Sequence, residues 1–324
     1  MNNQPLVTIA IPTYNRADNY FPWALRSALS QTYSNIEIIV SDNCSTDGTQ
    51  ALVTAIKDPR IRYFRHDPGI GQKNNYNFCF GQAKGSYVLL LHDDDVIDDD
   101  FVWSCMHAAG RTAGVGIVRT GMRTIDAAGD IIGQVTNDVG GLPLEALFRC
   151  WLGGNGTPIY CCNTLFNTRR LREVGGFASR HFCYPDTMAI FRLAAQYGRI
   201  DIPEIKASFR FHGDQTGFSR KISEWCEDSL ELLYLMCDLA PENRKQILKD
   251  GARFFANANY NRASSARSPW ERAIATMKVM RYFRYRQMPA LSFVIHILHG
   301  TPLYNALRII KRCAVRPLGT IAAR

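Results

Sequence analysis

The chain of 324 residues has no apolar run of 18 residues, no Cys-x-x-Cys pair, no repeat of 20–50 residues and almost no acid in its final quarter. Each gap removes a class of protein. Without a long apolar run, no membrane-spanning helix is expected. Its ten cysteines are scattered, with only Cys161 and Cys162 adjacent. That pattern is neither a zinc site nor a disulfide framework, and it reads as small core thiols in a reducing compartment. The opening MNNQPLVTIAIPTYNR has no basic segment followed by a long apolar one, so the expectation is a cytoplasmic chain with no secretory signal. The missing repeat excludes a solenoid. Hydrophobic residues at 46% and charged residues at 21% are ordinary globular values, which excludes disorder, collagen and coiled coil.

What is present is unevenly placed. The net charge is +9, but residues 1–240 carry 22 Lys and Arg against 26 Asp and Glu. Residues 241–324 carry 16 Lys and Arg against Glu242, Asp250 and Glu271. A slightly acidic body with a strongly basic appendage points to an anionic partner for the appendage.

The first hundred residues alternate short β-rich runs with helical stretches. Strands are predicted at Leu6–Ile11, stopped by Pro12, and at Ile36–Val40, Ile61–Phe64 and Tyr87–Leu91. Helices are predicted at Tyr20–Gln31, with Trp23, Leu25, Ala28 and Leu29 inward, at Ser45–Lys57, capped by Ser45 or Thr46, and near Asn75–Gln82. Such alternation gives a parallel, doubly wound α/β sheet. Further on come a Gly-rich stretch 153–158, a strand-like run Ile159–Phe166 and a helix near Asp186–Tyr197. Beyond about residue 222 the chain reads as helical, so the division is 1–220 for an α/β domain and 221–324 for a basic helical region.

Polar residues gather where three strands end: Thr13-Tyr14-Asn15-Arg16, Asp42-Asn43 and His92-Asp93-Asp94-Asp95. Open α/β sheets bind ligands at the carboxyl ends of their strands. Adjacent carboxylates repel one another unless a cation sits between them, and hard oxygen ligands suit Mg²⁺ or Mn²⁺. A solvated acidic loop is the alternative, and Asp98-Asp99-Asp100 reads as one. Asp42 is placed to accept hydrogen bonds from a ribose or base, or to serve as a turn residue.

VTIAIPTYNR, then EIIVSDNCSTDGT, then GSYVLLLHDDD together resemble glycosyltransferase family 2 over about residues 5–215. The resemblance implies the GT-A fold, a nucleotide-diphospho-sugar donor and a divalent metal. By that match Pro12, Thr13 and Tyr14 line the donor base, Arg16 reaches a phosphate, and Asp42 binds the nucleoside. Asn75 faces the nucleotide, with Lys73 a weaker candidate. The family's Asp-x-Asp slot reads His92-Asp93-Asp94 here. Two registers stand: Asp94 as the direct metal ligand with Asp93 and Asp95 supporting ribose or metal, or Asp93 paired with Asp95. GGFASRHFCYPDTMAIFRLAAQYG resembles a later segment of the family and implies Asp186 as catalytic base, with Arg192 nearby. Ser208–Gln215 resembles the next and implies His212 on the metal or the diphosphate. The loop 155–158 corresponds to one bordering donor sugar or acceptor.

Residues 251–324 hold thirteen Lys and Arg and one acid, with aromatics interleaved at 282–286. Basic amphipathic helices lie on anionic membrane surfaces. Packing on the acidic domain, or pairing two protomers as a homodimer, are the alternatives, and no nucleic-acid motif accompanies the charge. The expectation is a metal-dependent inverting glycosyltransferase (EC 2.4) of bacterial surface-polysaccharide synthesis. Its acceptor would be a glycan or lipid-linked hydroxyl, and its place the inner face of the cell membrane. A nucleotidyltransferase or a non-catalytic sugar-nucleotide binder is the competing class.

Overall fold

The computed structural model describes residues 4–110, 114–154, 157–213 and 220–284. Four parallel strands open the chain: β1 (Val7–Thr13), β2 (Ile36–Asp42), β3 (Ile61–Arg65) and β4 (Tyr87–Leu90). Helices α1 (Phe21–Leu29), α2 (Thr49–Ala55) and α3 (Gln72–Gln82) connect them. Next come β5 (Val96–Ile97), α4 (Phe101–Ala109), β6 (Ile117–Ile125), β7 (Ile131–Val135) and α5 (Leu144–Gly153). β8 (Thr164–Asn167), α6 (Thr168–Glu173), α7 (Pro185–Tyr197) and β9 (Arg199–Arg210) complete the sheet region. The path is β3-β2-β1-β4-β8-β6-β9-β5, with β7 on β6. The antiparallel pairs all involve β5, β7 or β8, so the sheet is mostly parallel, as the strand–helix alternation predicts. Every residue of β1 and β2 is buried, as expected for strands covered on both faces.

Pro12 does not stop β1 but lies inside it, opposite Ser41. Pairing of β1 with β4 ends at Ala10, so the N–H that Pro12 lacks falls beyond that ladder and breaks no bond. The second helix is shorter than predicted. Gly48, not Ser45 or Thr46, is its N-cap, because Ser45 Oγ instead accepts the N–H of Asn15 at 2.9 Å. The run 159–166 is strand only from Thr164. Trp23 is exposed rather than inward, with the Arg210 guanidinium 4.7 Å over its ring. At Gly85 an added Cβ would lie 2.5 Å from the Thr8 nitrogen, so only glycine allows the chain to enter β4 there.

The C-terminal helices are α8 (Ile222–Leu239), α9 (Arg244–Ser264) and α10 (Pro269–Tyr282). One apolar cluster runs from sheet residues Leu90 and Phe166 through Phe191 of α7 to Leu232, Phe255 and Val279 of these helices. Each large apolar side chain buried there contributes roughly 1.5–3 kcal/mol. Residues on both sides of position 220 therefore share one core.

Candidate active site

The parallel register sets Thr13 beside Asp42 at the carboxyl ends of β1 and β2. Asp42 is fully buried. One carboxylate oxygen accepts the Ser45 N–H at 2.7 Å and the other the Tyr63 hydroxyl at 2.6 Å. Burial, then that hydrogen bond, raises the Tyr63 pKa, so Tyr63 stays a donor and fixes the carboxylate's direction. Asn15 takes a positive φ of 52°, and its side chain accepts the Thr46 N–H at 2.8 Å. This clamp turns the chain and leaves Tyr14 exposed above the strand ends. Arg16 sits 5.9 Å from the Tyr20 ring centroid and close enough to Asp93 and Asp94 to favour their ionised forms. Asn75 engages both ends of its amide with Ser41, accepting its hydroxyl at 2.6 Å and donating to its carbonyl at 2.9 Å.

After β4 the carboxylates diverge in character. Burial and the neighbouring Asp94 charge push Asp93 up to about 7. Burial also works against ionisation of Asp94, but a hydrogen bond from His212 Nε2 at 3.0 Å and the charges of His92 and His212 outweigh it and hold its pKa low. Burial, then Asp94, raises Asp95 well above the carboxylate range, while its Oδ1 accepts the Arg210 N–H at 2.9 Å. Arg210 Nε also donates to the Asp94 carbonyl at 2.9 Å, so this buried arginine holds the carboxylate turn from β9.

His92, Asp94 and Asp95 each offer one donor atom within 4.8 Å of the others. Opposite ligands of an Mg²⁺ ion at about 2.0–2.1 Å stand roughly 4.2 Å apart, so a small contraction seats a cation. His92 Nδ1 stands 3.6 Å from Asp95 Oδ2, and its Nε2 is buried without a hydrogen-bond partner among the described residues. The residues fit a divalent cation. The structure includes His92 in the cluster and sets His212 against Asp94.

Asp186 lies in the first turn of α7, after Pro185 has begun the helix. Burial raises its pKa, and hydrogen bonding from the Thr187 N–H at 2.8 Å opposes that. It stands on the walls of two cavities. The smaller, of 160 Å³, also contains His92 and Tyr76. The larger, of 1160 Å³, is bounded by Tyr160 and Tyr184 on one side and by α8, α9 and α10 on the other. Cys183, Arg220 and Trp225 face both.

Asp228 of α8 holds the segment leading to Asp186. Its fully buried carboxylate accepts the Ser179 hydroxyl at 2.7 Å and the N–H groups of His181 and Cys183 at 2.9 Å each. Glu227 next to it accepts the Tyr282 hydroxyl at 2.7 Å and meets His181 Nε2 at 2.7 Å, tying α10 to the same segment. Buried Arg119 donates to the Pro158 carbonyl and to Thr157 Oγ1, which anchors one end of the loop bordering the site. Asn155 and Gly156 lie outside the described residues.

Sequence reasoning missed His92 as a cluster member and did not assign Asp228 and Arg210 their positioning contacts. Asp228 is one of five acids in the helix Ile222–Leu239, so nothing in the sequence singles it out. Arg210 stood in a motif, but its carbonyl partners depend on the fold.

Residues 8–172 match the family described as Glycosyl transferase family 2. Identity to the succinoglycan biosynthesis protein ExoO of Rhizobium meliloti (strain 1021) is 40% over 96 residues, 30% of this chain and 27% of that protein. The match spans 27%, 34% and 39% of three curated relatives' lengths. Two solved structures share the GT-A fold. S. aureus TarS 1-349 in complex with UDP-GlcNAc has a TM-score of 0.62 at 15% identity, over 86% of this chain and 89% of that one. The mannosyltransferase PcManGT from Pyrobaculum calidifontis, in complex with GDP-Man and Mn2+, has a TM-score of 0.57 at 17% identity, over 96% and 85%.

Proposed function

The chain belongs to glycosyl transferase family 2, and from that premise we propose that it moves a sugar from a nucleotide-diphospho-sugar to an acceptor hydroxyl, with inversion at the anomeric carbon. The acceptor is a glycan or a lipid-linked glycan in the assembly of a bacterial surface polysaccharide. The observation that carries this reading is Asp186 on the wall between the pocket holding His92 and the wide cavity under the C-terminal helices. A base must reach the acceptor hydroxyl where that hydroxyl meets the donor, and this residue lines both spaces. The relative named for succinoglycan biosynthesis and the nucleotide-sugar complexes of the two fold neighbours support it.

In this reading Pro12, Thr13 and Tyr14 border the donor's base, and Asp42, held by Tyr63 and Ser45, accepts from the nucleoside. Asn75 acts through Ser41, and Arg16 balances the diphosphate. Asp94 and Asp95 with His92, and His212 beside Asp94, would hold Mn²⁺ or Mg²⁺, which supplies Lewis-acid stabilisation of the diphosphate charge. Asp186 takes the proton from the acceptor hydroxyl as its oxygen attacks the anomeric carbon. The bond from that carbon to the diphosphate oxygen breaks on the opposite face, and the nucleoside diphosphate leaves with the electron pair. One direct displacement inverts the centre.

Among the described residues no helix is long and apolar enough to cross a membrane. On α10, Trp270, Ile274 and Met277 are exposed, and their spacing of four and three sets them on one face. Arg281 lies on the same helix. This stripe supports peripheral contact with the cytoplasmic face of an anionic membrane. The strongly apolar segment 289–298 and the segment 304–312, which alternates apolar and basic residues, lie outside the described residues.

The test is incubation with UDP-, GDP-, CDP- and dTDP-sugars, each with Mn²⁺, Mg²⁺ or EDTA and a lipid-linked glycan extract, in wild type and Asp186→Asn. The wild type should transfer one sugar, and Asp186→Asn should fall by about 10²–10⁴-fold while still binding donor. Retention of anomeric configuration in the product by NMR would exclude the single displacement.

A further inference from the structure

The wide cavity describes the acceptor more closely. At 1160 Å³ it exceeds the roughly 300–1,000 Å³ of sites for one small molecule. It also does not end at its own rim. Phe254, Ala258 and Asn261 of α9 belong to its wall and to the wall of a second cavity of 460 Å³, which reaches Arg149, Asp250, Arg253 and Asn257. Their spacing of four and three puts them on one helix face. A continuous groove therefore follows α9 from Asp186 to Arg149.

Its lining has two chemistries. Trp151, Trp225 and Phe254 present aromatic faces, and Asn257 and Asn261 present amides that both donate and accept. Sugar rings offer the complement, with apolar C–H faces and a rim of hydroxyls. The charge is lopsided. Arg149, Arg220, Lys221, Arg253, Arg262 and Lys278 face Asp186, Asp250 and Glu271. Among the described residues none of these six cations forms an ion pair; Arg220 donates to a carbonyl and to Gln72. Arg262 lies 3.9 Å over the Trp225 ring and donates to Asn259. Asp250 accepts from Gln246 and the Glu271 carboxylate accepts the Ser268 N–H at 3.1 Å, so both acids are engaged elsewhere. An arginine stacked on an aromatic ring and lacking a carboxylate is oriented to receive one, or a phosphate.

We propose that this groove binds an acidic oligosaccharide as acceptor. Several sugars long, it carries carboxylate or phosphate groups that meet the cations, while its terminal hydroxyl reaches Asp186. The orientation of that acceptor rests on Asp186 being the base. The groove's length supplies affinity for sugars remote from the reacting hydroxyl, and its charge favours acidic chains over neutral ones.

Calorimetric titration of the full chain tests this with four probes: hexagalacturonate, phosphorylated maltohexaose, maltohexaose and galacturonate. At least one acidic hexamer should bind about tenfold or more tightly than maltohexaose and than galacturonate, and its affinity should fall with added salt. The winning hexamer tells carboxylate from phosphate. Arg253→Gln, at the far end of the groove, should weaken the hexamer several-fold, and Arg253→Lys should restore part of that loss. Matching circular dichroism and urea unfolding for both variants keep the comparison fair. Equal binding of maltohexaose, equal binding of the monomer, or no saturable binding by any probe would overturn the proposal. The base reading fails on a separate result, full turnover by Asp186→Asn.

Discussion

Asp228 brackets Phe182. Its two carboxylate oxygens accept the N–H groups on either side of that residue, from His181 and Cys183, at 2.9 Å each. Phe182 is buried with a φ of 59°, a left-handed conformation costing about 1–3 kcal/mol for a bulky side chain. Charge-assisted hydrogen bonds of roughly 1.5–3 kcal/mol offset that strain. The turn so fixed leads into Pro185 and Asp186. The Phe182 ring meets Tyr76 edge-on at 5.5 Å, and Tyr76 faces His92 at 5.3 Å. A C-terminal helix thereby positions the base and the edge of the cation cluster together.

Asp228→Ala should lower the unfolding free energy by about 2–4 kcal/mol, because it leaves buried donors without an acceptor. Urea unfolding measures this. Sugar transfer should fall through kcat with the donor KM little changed, because the turn carrying Asp186 loosens while the strand ends that hold the nucleotide do not.

Binding of one nucleoside diphosphate should require the cation. At about 100 times its Kd, a ligand adds roughly 2.7 kcal/mol, which for a chain of this size is a rise of about 5 °C in Tm. A thermal-shift panel of UDP, GDP, CDP and dTDP should show this rise with Mn²⁺ or Mg²⁺ and lose it with EDTA. Asp94→Ala should abolish it, and His92→Ala should weaken it.

Asp93 makes the cation-free protein respond to pH. Its folded pKa of about 7 lies above the unfolded value of about 3.9, so the folded state binds the extra proton. Its contribution to stability is fully present below about pH 4 and is lost as pH rises through 7. Urea midpoints in EDTA between pH 4 and 8 should decline on this account, and Asp93→Asn should flatten that part of the curve. Asp186 is raised in the same direction by burial. The acid limb of kcat/KM should therefore lie above the ordinary carboxylate value of about 3.9, since the base must be ionised to act.

Trp270→Ser with Met277→Ser should reduce sedimentation with vesicles rich in phosphatidylglycerol by about tenfold or more, with the melting curve unchanged, because both side chains are exposed. Trp270 is 76% exposed. Added salt should weaken wild-type binding as Arg281 is screened. Equal pelleting of wild type and variant would assign the stripe to another contact.

The sequence by itself determined the parallel half of the sheet and the three polar strand ends. A strand buried on both faces must read as a continuous apolar run, and its end must carry whatever meets the ligand, so adjacent residues hold that information. It also determined Asp186 in the first turn of a helix, through an apolar stretch of helical length that follows Pro185. Tertiary structure alone decided the rest. Pro12 fits within β1 because β4 stops pairing at Ala10. Ser45 does not cap the second helix because the Asn15 N–H takes its hydroxyl, and Asp47 accepts the Thr49 N–H there instead. His212 reaches Asp94 across 118 residues, and Asp228 reaches the turn at Phe182 from a helix that carries four other acids. Periodicity records which side of an element faces inward, whereas hydrogen-bond partners between distant segments depend on where folding brings those sides together.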